Sequence, residues 1–522
     1  MRRAVALGVG FIVAACSSDP AGPGGTTPTP TPGEVQVIPL APIGEVKTTI
    51  DRTFTSKQPR PAGQVGPNPS LPEAYESYVT KGFGEVVEGK GEPYTTRAIT
   101  PETPPPAGPN AKRLTRFVHM PDLQIADDES PTRLGNFDSP PPGPDAALRP
   151  QDPYLCRMTN AAVRTINALH KKDPIGFVLL GGDNADSAQT NEVDWVLGVL
   201  SGSERVKCDS GKDDDVIAGP NNDGKDPFKA EGLAMPWKWV TGNHDVLVQG
   251  NLGVSAPKKA EAVGVTSNGG TRHYEDGKKG EVNRDDVIAD ERRALLDRKA
   301  LMAKIASHAD GHGLGEAQKA SGRATYTFDV EGTPIRFLVI DTATDTGGAD
   351  GLLTRSEIDR AIKPALDKAK ADNKWVILSS HHAQSSLTKD GGVFGTAAAD
   401  AVLPDDWATF LGGYTNVVFS MVGHTHEHRI RAVTPAAGHA YWEVMTSAIA
   451  DFPNEFRVVE IFDQDNGWIM LRATCVDHAI DGDDVAKEGR RRSVVDMDSG
   501  WGPASGAGKL EDRNVELWIK KP

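Results

Sequence analysis

Two groups of residues in this chain combine side chains that bind divalent cations. Asn243, His244 and Asp245 are consecutive, and His424 and His426 lie two residues apart much further along the chain. Each group follows an apolar run. Imidazole nitrogens together with carboxylate and amide oxygens suit manganese, iron or zinc, without choosing among them. The two groups together indicate a hydrolase that uses two metal ions.

Short apolar runs are expected to position these residues. Runs such as 114–120, 175–180 and 417–422 have the length of buried strands, and the apolar spacing from Leu155 to Leu169 predicts a helix between the first two. Strands that alternate with helices, with ligand-type residues after the strands, are typical of an α/β layered fold. In such folds the site lies on loops beyond the edge of the sheet.

Five ordered blocks carry a resemblance to a known family. The blocks are Asp122-Leu123-Gln124, Gly182-Asp183, Gly242-Asn243-His244-Asp245, Ser380-His381-His382 and Gly423-His424-Thr425-His426. In type and order they resemble the blocks of the calcineurin-like metallophosphoesterase superfamily, over roughly residues 114 to 465. The resemblance implies a four-layer α-β-β-α sandwich with two facing mixed sheets, a dinuclear metal centre at one edge, and hydrolysis of phosphate esters.

The resemblance also implies a ligand set. Two divalent cations about 3.5 to 4 Å apart repel each other and need an anionic bridge, and Asp183 matches that position. One site is completed by Asp122, Gln124 and His426, and the other by Asn243, His381 and His424. The family's commonest pattern has histidine where this chain has Gln124, and an amide oxygen is a weaker donor than imidazole to zinc or iron. His119 is an alternative ligand, and the identity of the metals stays open.

The implied mechanism is attack on phosphorus by a hydroxide that bridges the two cations. His244 is expected to protonate the leaving group, with Asp245 orienting its imidazole and keeping it protonated. The alternative is that His244 only packs beneath the metals. The purple acid phosphatase branch of the family has tyrosine three residues after the bridging aspartate. This chain has Asp186 there, which argues against an iron-tyrosinate centre.

The N-terminal residues predict export. Arg2 and Arg3 precede an apolar stretch that is too short to cross a bilayer, so residues 1–15 are interpreted as a signal peptide. The residues before Cys16 resemble the bacterial lipobox, which implies a lipid anchor on Cys16 and a place in the cell envelope, at the outer membrane, facing the periplasm or the surface. An ordinary secretory signal is the alternative. Three cysteines remain and permit at most one internal disulfide.

Composition suggests the organisation of the rest of the chain. Residues 16–45 are rich in Pro, Thr and Gly and predict an extended tether. We expect an irregular lead over 46–112, a metallophosphoesterase domain over 113–480 with insertions near 202–235 and 250–288, and a C-terminal segment, 481–522, that packs on the domain.

Two rival functions stay open. The first is a surface lipoprotein that acts as a binding module with a degenerate metal site, which Gln124 favours. The second is an exported nuclease, but the formal net charge of -15 opposes nucleic-acid binding. We expect a small phosphate ester as the substrate. The sequence does not distinguish phosphate monoesters from diesters as substrates. It does not indicate the oligomeric state either.

Overall fold

The structure is a computed structural model, and it describes residues 37, 40–141, 143–144, 146–211, 223–274, 279–284 and 287–522. The predicted signal peptide, Cys16 and most of the predicted tether lie outside the described residues, as does the middle of the first insertion, 212–222. Among the described residues, no helix combines the length and the apolar character that a membrane span requires.

Two large mixed β-sheets form the centre of the described chain. The first contains, in spatial order, β3 (Thr95–Ala98), β19 (Val515–Lys520), β18 (Trp468–Asp477), β17 (Glu455–Asp463), β4 (Lys112–Met120), β5 (Phe177–Leu180) and β8 (Trp237–Lys238). The second contains β11 (Tyr326–Asp329), β12 (Ile335–Val339), β13 (Trp375–Ser379), β14 (Val417–Val422), β16 (Tyr441–Met445) and β15 (Arg429–Val433). Strands β4, β5 and β8 are parallel, and so are β12, β13, β14 and β16.

Shorter elements surround the sheets. Three antiparallel ribbons pair β1 (Arg52–Ser56) with β2 (Val86–Lys90), β6 (Ser203–Val206) with β7 (Phe228–Ala230), and β9 (Thr271–His273) with β10 (Glu281–Asn283). The helices are α1 (Pro72–Thr80), α2 (Leu155–Lys172), α3 (Thr190–Ser201), α4 (Ala256–Val263), α5 (Arg298–Ala306), α6 (Glu316–Ser321), α7 (Arg355–Glu357), α8 (Lys363–Ala371), α9 (Pro404–Gly412) and α10 (Asp484–Ser499). A π-helical turn, Ile358–Ile362, joins α7 to α8.

The two sheets face each other across a phenylalanine cluster. Phe117 of β4 and Phe177 of β5 contact Phe337 of β12 edge-on, and the ring centroids of both pairs are 5.3 Å apart. Side chains alternate along β12, so Leu338 points the other way and packs with α8 and α9. Helices α2 and α3 pack with the strands of the first sheet in the main core cluster, which also contains residues of the second sheet. The layers are therefore α-β-β-α, and the predicted fold class is confirmed.

The segments at either end of the predicted domain also enter the first sheet. Strand β19, from the last residues of the chain, lies between β18 and β3, and β3 comes from the predicted irregular lead. The boundaries of 113 and 480 are therefore too narrow, because the sheet needs strands from both flanking segments. Cys156 of α2 and Cys208 of the first insertion form a disulfide, whereas Cys475 is free and buried.

Candidate metal centre

The loops that follow five strands converge at one edge of the sandwich. Asp122 follows β4, Asp183 follows β5, Asn243 follows β8, His381 follows β13 and His424 follows β14. Parallel strands end at the same edge of a sheet, so their loops meet there. His426, two residues beyond His424, joins this group through Asp122. The structure thus brings together residues that are about 300 positions apart, as in the hydrogen bond from the His424 N–H to Asp122 Oδ2 (separation 302).

The distances between these side chains are those of a shared site. His381 Nε2 is 3.0 Å from Asp183 Oδ2 and 3.9 Å from Asp122 Oδ1. His426 Nε2 is 3.3 Å from the same Asp122 oxygen. The rings of His381 and His424 are 5.1 Å apart between centroids. One ligand atom from each of Asp122, Asp183 and His381 lies within 4.8 Å of the other two.

Several ligand-type atoms at this edge are buried and make no well-directed hydrogen bond to a described residue, although two of them, Asp122 Oδ1 and His381 Nε2, have the ion-pair contacts given above. They are Asp122 Oδ1, Gln124 Oε1, Asn243 Oδ1 and His381 Nε2. A buried polar atom that lacks a partner destabilises a fold by about 1–3 kcal/mol, so such atoms are rarely left in groups. Divalent cations bound between these oxygens and nitrogens would satisfy all of them. The donor set therefore fits two divalent metal ions.

The other ring nitrogens of two histidines hold their imidazoles in place. His381 Nδ1 hydrogen-bonds the Gly181 carbonyl at 2.8 Å, and His426 Nδ1 hydrogen-bonds Asp451 Oδ2 at 2.5 Å. Such contacts fix the ring and leave Nε2 for a metal. The role of Asp451 was missed by sequence reasoning, because no local pattern links it to His426, 25 residues earlier.

The electrostatics of the site favour positive charge at the same points. Burial alone would lower the pKa of His381, but the Asp183 and Asp122 carboxylates outweigh it and raise this pKa to about 9. At His426, Asp122 and Asp451 overcome burial in the same way and raise the pKa to about 10. Negative charge is thus concentrated beside these two rings, whereas burial lowers the pKa of the third predicted histidine ligand, His424, to about 3.

The backbone is strained at five of the predicted ligands. Asp122 (φ 54°), Gln124 (φ 42°), Asp183 (φ 52°), His424 (φ 82°) and His426 (φ 53°) are all in the left-handed region. Non-glycine residues rarely adopt it, and such residues concentrate at functional sites. The site is also tightly packed, because a Cβ atom at Gly242 would collide with the Asp183 carboxylate.

Asp186, and not Asp245, contacts the His244 imidazole. His244 Nδ1 is 2.8 Å from the Asp186 carbonyl oxygen and 3.2 Å from Asp186 Oδ1. Arg133 donates to Asp186 Oδ2 at 3.0 Å and to Asp152 Oδ2 at 2.7 Å, with all three side chains buried. Burial would raise the pKa of Asp186, but Arg133 and His244 lower it to about 2. The Asp186 backbone carbonyl therefore holds His244 Nδ1, and the Asp186 carboxylate places a negative charge beside the imidazole.

The role predicted for Asp245 was wrong. Its carboxylate accepts hydrogen bonds from the backbone N–H groups of Gly242, Asn184 and Ala185, at 2.8, 2.9 and 3.1 Å. Adjacent side chains in this tight turn diverge, so Asp245 faces the neighbouring loop. It ties the loop after β5 to the loop after β8, which fixes Asp183 against Asn243.

Gln124 and three further histidines lie around the site. Gln124 lines its cavity, and the Gln124 N–H donates to the Asp183 carbonyl at 2.9 Å. His119 is buried in β4, where its Nδ1 hydrogen-bonds Thr446 and its Nε2 has no hydrogen-bond partner among the described residues.

Both ring nitrogens of His382 have hydrogen-bond partners, which are Thr342 and the Ala349 carbonyl. His428 likewise contacts Glu455 and the Ser447 N–H. Gln124 Oε1 and His119 Nε2 are both buried without a hydrogen-bond partner among the described residues, so both alternatives for this ligand stay predictions, whereas His382 and His428 have partners on both nitrogens and support the surrounding loops.

A cavity of about 800 Å³ opens onto the centre. Residues from the site that line it are Gln124, Asp183, Asn243, His244, His424 and His426. Arg149 also lines it and is buried, with Nε 3.3 Å from Asp451 Oδ1. Its Nη1 has no hydrogen-bond partner among the described residues. The cavity therefore extends from the candidate metal centre to the guanidinium of Arg149, which Asp451 holds in place.

Comparisons with known proteins find structural likeness only. No family model and no curated protein matches this chain. A dimetal phosphatase from Danio rerio aligns over 70% of this chain and 100% of its own, with 11% identity and a TM-score of 0.37. A sulfate thiohydrolase, SoxB, from Thermus thermophilus aligns over 76% and 61%, with 13% identity and a TM-score of 0.29. A purple acid phosphatase from yellow lupin aligns over 74% and 54%, with 12% identity and a TM-score of 0.28. Because these scores are low, the chemistry of the site is inferred from its own side chains.

Proposed function

We propose that this protein is a phosphoesterase that uses two divalent metal ions and hydrolyses phosphate mono- or diesters. The observation that supports this most is the group of buried, unpartnered oxygens and nitrogens at the strand ends. Asp183 is close to members of both predicted ligand sets, since its ligand atom lies within 4.8 Å of those of Asp122 and His381, and it is 3.0 Å from His381 Nε2. Asp122, Gln124 and His426 would hold one cation with Asp183, and Asn243, His381 and His424 the other.

When bound, the two cations would supply Lewis acidity, by activating a water and neutralising charge on the phosphoryl oxygens. His244 has the place of the proton donor to the leaving group. Its Nδ1 is held by Asp186, so Nε2 is the nitrogen that is free to transfer a proton. Burial would lower the pKa of His244, but the Asp183 and Asp186 carboxylates outweigh it and raise this pKa above its ordinary value, which favours the protonated form that a donor needs.

The proposal is tested by metal removal and reconstitution. Purified protein is treated with a chelator, dialysed, and assayed with 4-nitrophenyl phosphate and bis(4-nitrophenyl) phosphate after addition of manganese, iron or zinc. We expect turnover to disappear on chelation and to return with at least one metal. If neither ester is hydrolysed with any of these metals, the proposal is contradicted and a binding module is favoured. Metal-dependent cleavage of DNA or RNA on a gel, without turnover of the small esters, would instead favour a nuclease.

Arg149 is proposed to bind a phosphoryl oxygen of the substrate. A guanidinium is a strong partner for phosphate, and Asp451 already fixes this one at the cavity wall. We expect Arg149→Ala to raise KM about tenfold or more, with Arg149→Lys in between, because a charge-assisted hydrogen bond contributes about 1.5–3 kcal/mol. Arg355→Ala, at an exposed position of α7, is the control. Unchanged KM in Arg149→Ala would exclude this role.

We also propose that the protein acts outside the cytoplasm, anchored through a lipidated Cys16. The Cys156–Cys208 disulfide supports an oxidising compartment. Mass spectrometry of the protein isolated from membranes tests this directly. A diacylglycerol-modified N-terminal Cys16 is the expected result, and an intact Met1 or an unmodified N-terminus would contradict the anchor.

A further inference from the structure

We propose, on the basis of the phosphoesterase function above, that the exposed wall of the cavity binds an aromatic ring in the organic group of the substrate. This wall is formed by Leu134, Phe137, Leu252 and Phe394, and is called the aromatic wall below. It belongs to the same cavity as Asp183 and His244. A phosphate ester whose phosphorus lies at the metal centre would therefore extend its organic group along these side chains.

The exposure of the side chains divides the cavity into two parts. Asp183 and Asn243 are each only 1% exposed, whereas Phe137 is 56% exposed and Phe394 is 66% exposed. Single large apolar side chains are common on protein surfaces. A group of them at the rim of a polar site indicates that the rim binds a ligand. The deep end of the cavity is thus charged and the open end is apolar.

Phe394 is held in an unfavourable conformation at this rim. Its φ is 72°, a region that bulky side chains rarely adopt. The loop around it is anchored, because the Gly395 N–H donates to the Gly392 carbonyl at 3.0 Å and the Thr396 N–H donates to Thr346 Oγ1 at 3.1 Å. A strained residue persists where its surroundings enforce it, and such residues concentrate at ligand sites. The fold therefore presents this ring to solvent at the cavity mouth.

Gln249 and Asn251, two polar residues that line the cavity near the aromatic wall, are already hydrogen-bonded, and the Arg284 guanidinium lies over the Phe137 ring, 5.9 Å from its centroid. Gln249 Oε1 accepts from the Leu134 N–H at 2.7 Å, and its Nε2 donates to the Ala147 carbonyl at 2.9 Å. Asn251 Nδ2 donates to the Gln249 carbonyl at 2.7 Å. A sugar or glycerol group placed here would lose hydrogen bonds to water with little replacement. An aromatic group has no such hydrogen bonds to water to lose, and it gains ring contacts with Phe137 and Phe394.

Non-hydrolysable ligands test this without the influence of leaving-group reactivity. The inhibition constants of phenylphosphonate and methylphosphonate are measured on the metal-replete protein, against one reporter ester, and confirmed by calorimetry. For the unaltered protein we expect phenylphosphonate to bind about tenfold more tightly than methylphosphonate. In Phe137→Ala and in Phe394→Ala this ratio should fall toward one.

Val393 provides the matched control. It is 75% exposed and adjacent to Phe394, but it does not line the cavity, so Val393→Ala should leave the ratio unchanged. Phe394→Leu, which keeps apolar bulk but has no ring, should give an intermediate ratio. If the ratio of the two inhibition constants is unchanged in both alanine variants and turnover is intact, the aromatic wall does not bind the organic group. The proposed phosphoesterase function would not be affected by that result.

Two other outcomes are distinguishable. Absence of turnover of every ester would refute the proposed function itself, and calorimetric binding of the phosphonates would then report on the aromatic wall alone. Sedimentation with phosphatidylglycerol vesicles that is lost equally in Phe394→Ala and Val393→Ala, with an unchanged phosphonate ratio, would assign these residues to a membrane surface and contradict the proposal.

Discussion

Replacement of Asp183 is expected to abolish turnover and to release both metal ions. One ligand atom from its carboxylate lies within 4.8 Å of ligand atoms of Asp122, from one predicted set, and of His381, from the other. Asp183→Asn keeps the shape and the acceptor for His244 but removes the negative charge that lets two cations approach each other. We expect kcat/KM to fall by about 10⁴-fold, since several kcal/mol of charge stabilisation are lost.

The measurement is elemental analysis of the dialysed variant together with turnover of 4-nitrophenyl phosphate. Asp359→Asn, which removes a carboxylate from an exposed helical position, should retain both metals and full activity. A variant at Asp183 that kept two metal ions per chain and turned over normally would contradict the assignment of this residue as the bridge.

Replacement of His244 is expected to slow the reaction in a way that depends on the leaving group. A positioned general acid contributes about 10²–10⁴-fold, and it matters most when the departing oxygen is strongly basic. We expect His244→Ala to reduce kcat by this amount for phenyl phosphate but much less for 4-nitrophenyl phosphate. Asp186→Asn should show the same trend more weakly, because it keeps the hydrogen bond between the imidazole and the Asp186 backbone carbonyl but removes the negative charge beside the ring.

The readout is the slope of log kcat against the pKa of the leaving group over a series of aryl phosphates. The slope should steepen in His244→Ala and in Asp186→Asn. It should stay as in the unaltered protein for His439→Ala, since this histidine does not line the cavity. An equal reduction for all leaving groups in His244→Ala would show that the residue packs or binds but transfers no proton.

The strands that carry the ligands could be predicted from sequence because their signals are local. The run 417–422 coincides with β14, and the run 114–120 lies within β4. Each ligand follows its strand within a few residues, so the order of the motifs predicted the convergence. Strand β19 was missed although its alternation was readable, since Val515, Leu517 and Ile519 are all buried. Its position between β18 and β3 depends on long-range pairing, which no local pattern reveals.

The partners that orient the catalytic side chains could not be predicted from sequence. Asp245 was expected to orient His244 because it is adjacent, but backbone geometry in the turn points it elsewhere. Asp186 lies 58 residues from His244 and reaches it only because the loops after β5 and β8 meet. Arg133, which holds Asp186, comes from a third loop with no recognisable motif. Orientation therefore depends on tertiary contacts, whereas the candidate ligands were predicted from local motifs.

The most direct test of the dinuclear centre is anomalous X-ray scattering from crystals of the metal-replete protein. We expect two peaks about 3.5–4 Å apart on either side of Asp183, one also contacting Asp122, Gln124 and His426 and the other Asn243, His381 and His424. A single peak, or a pair of peaks that Asp183 does not separate, would contradict the account.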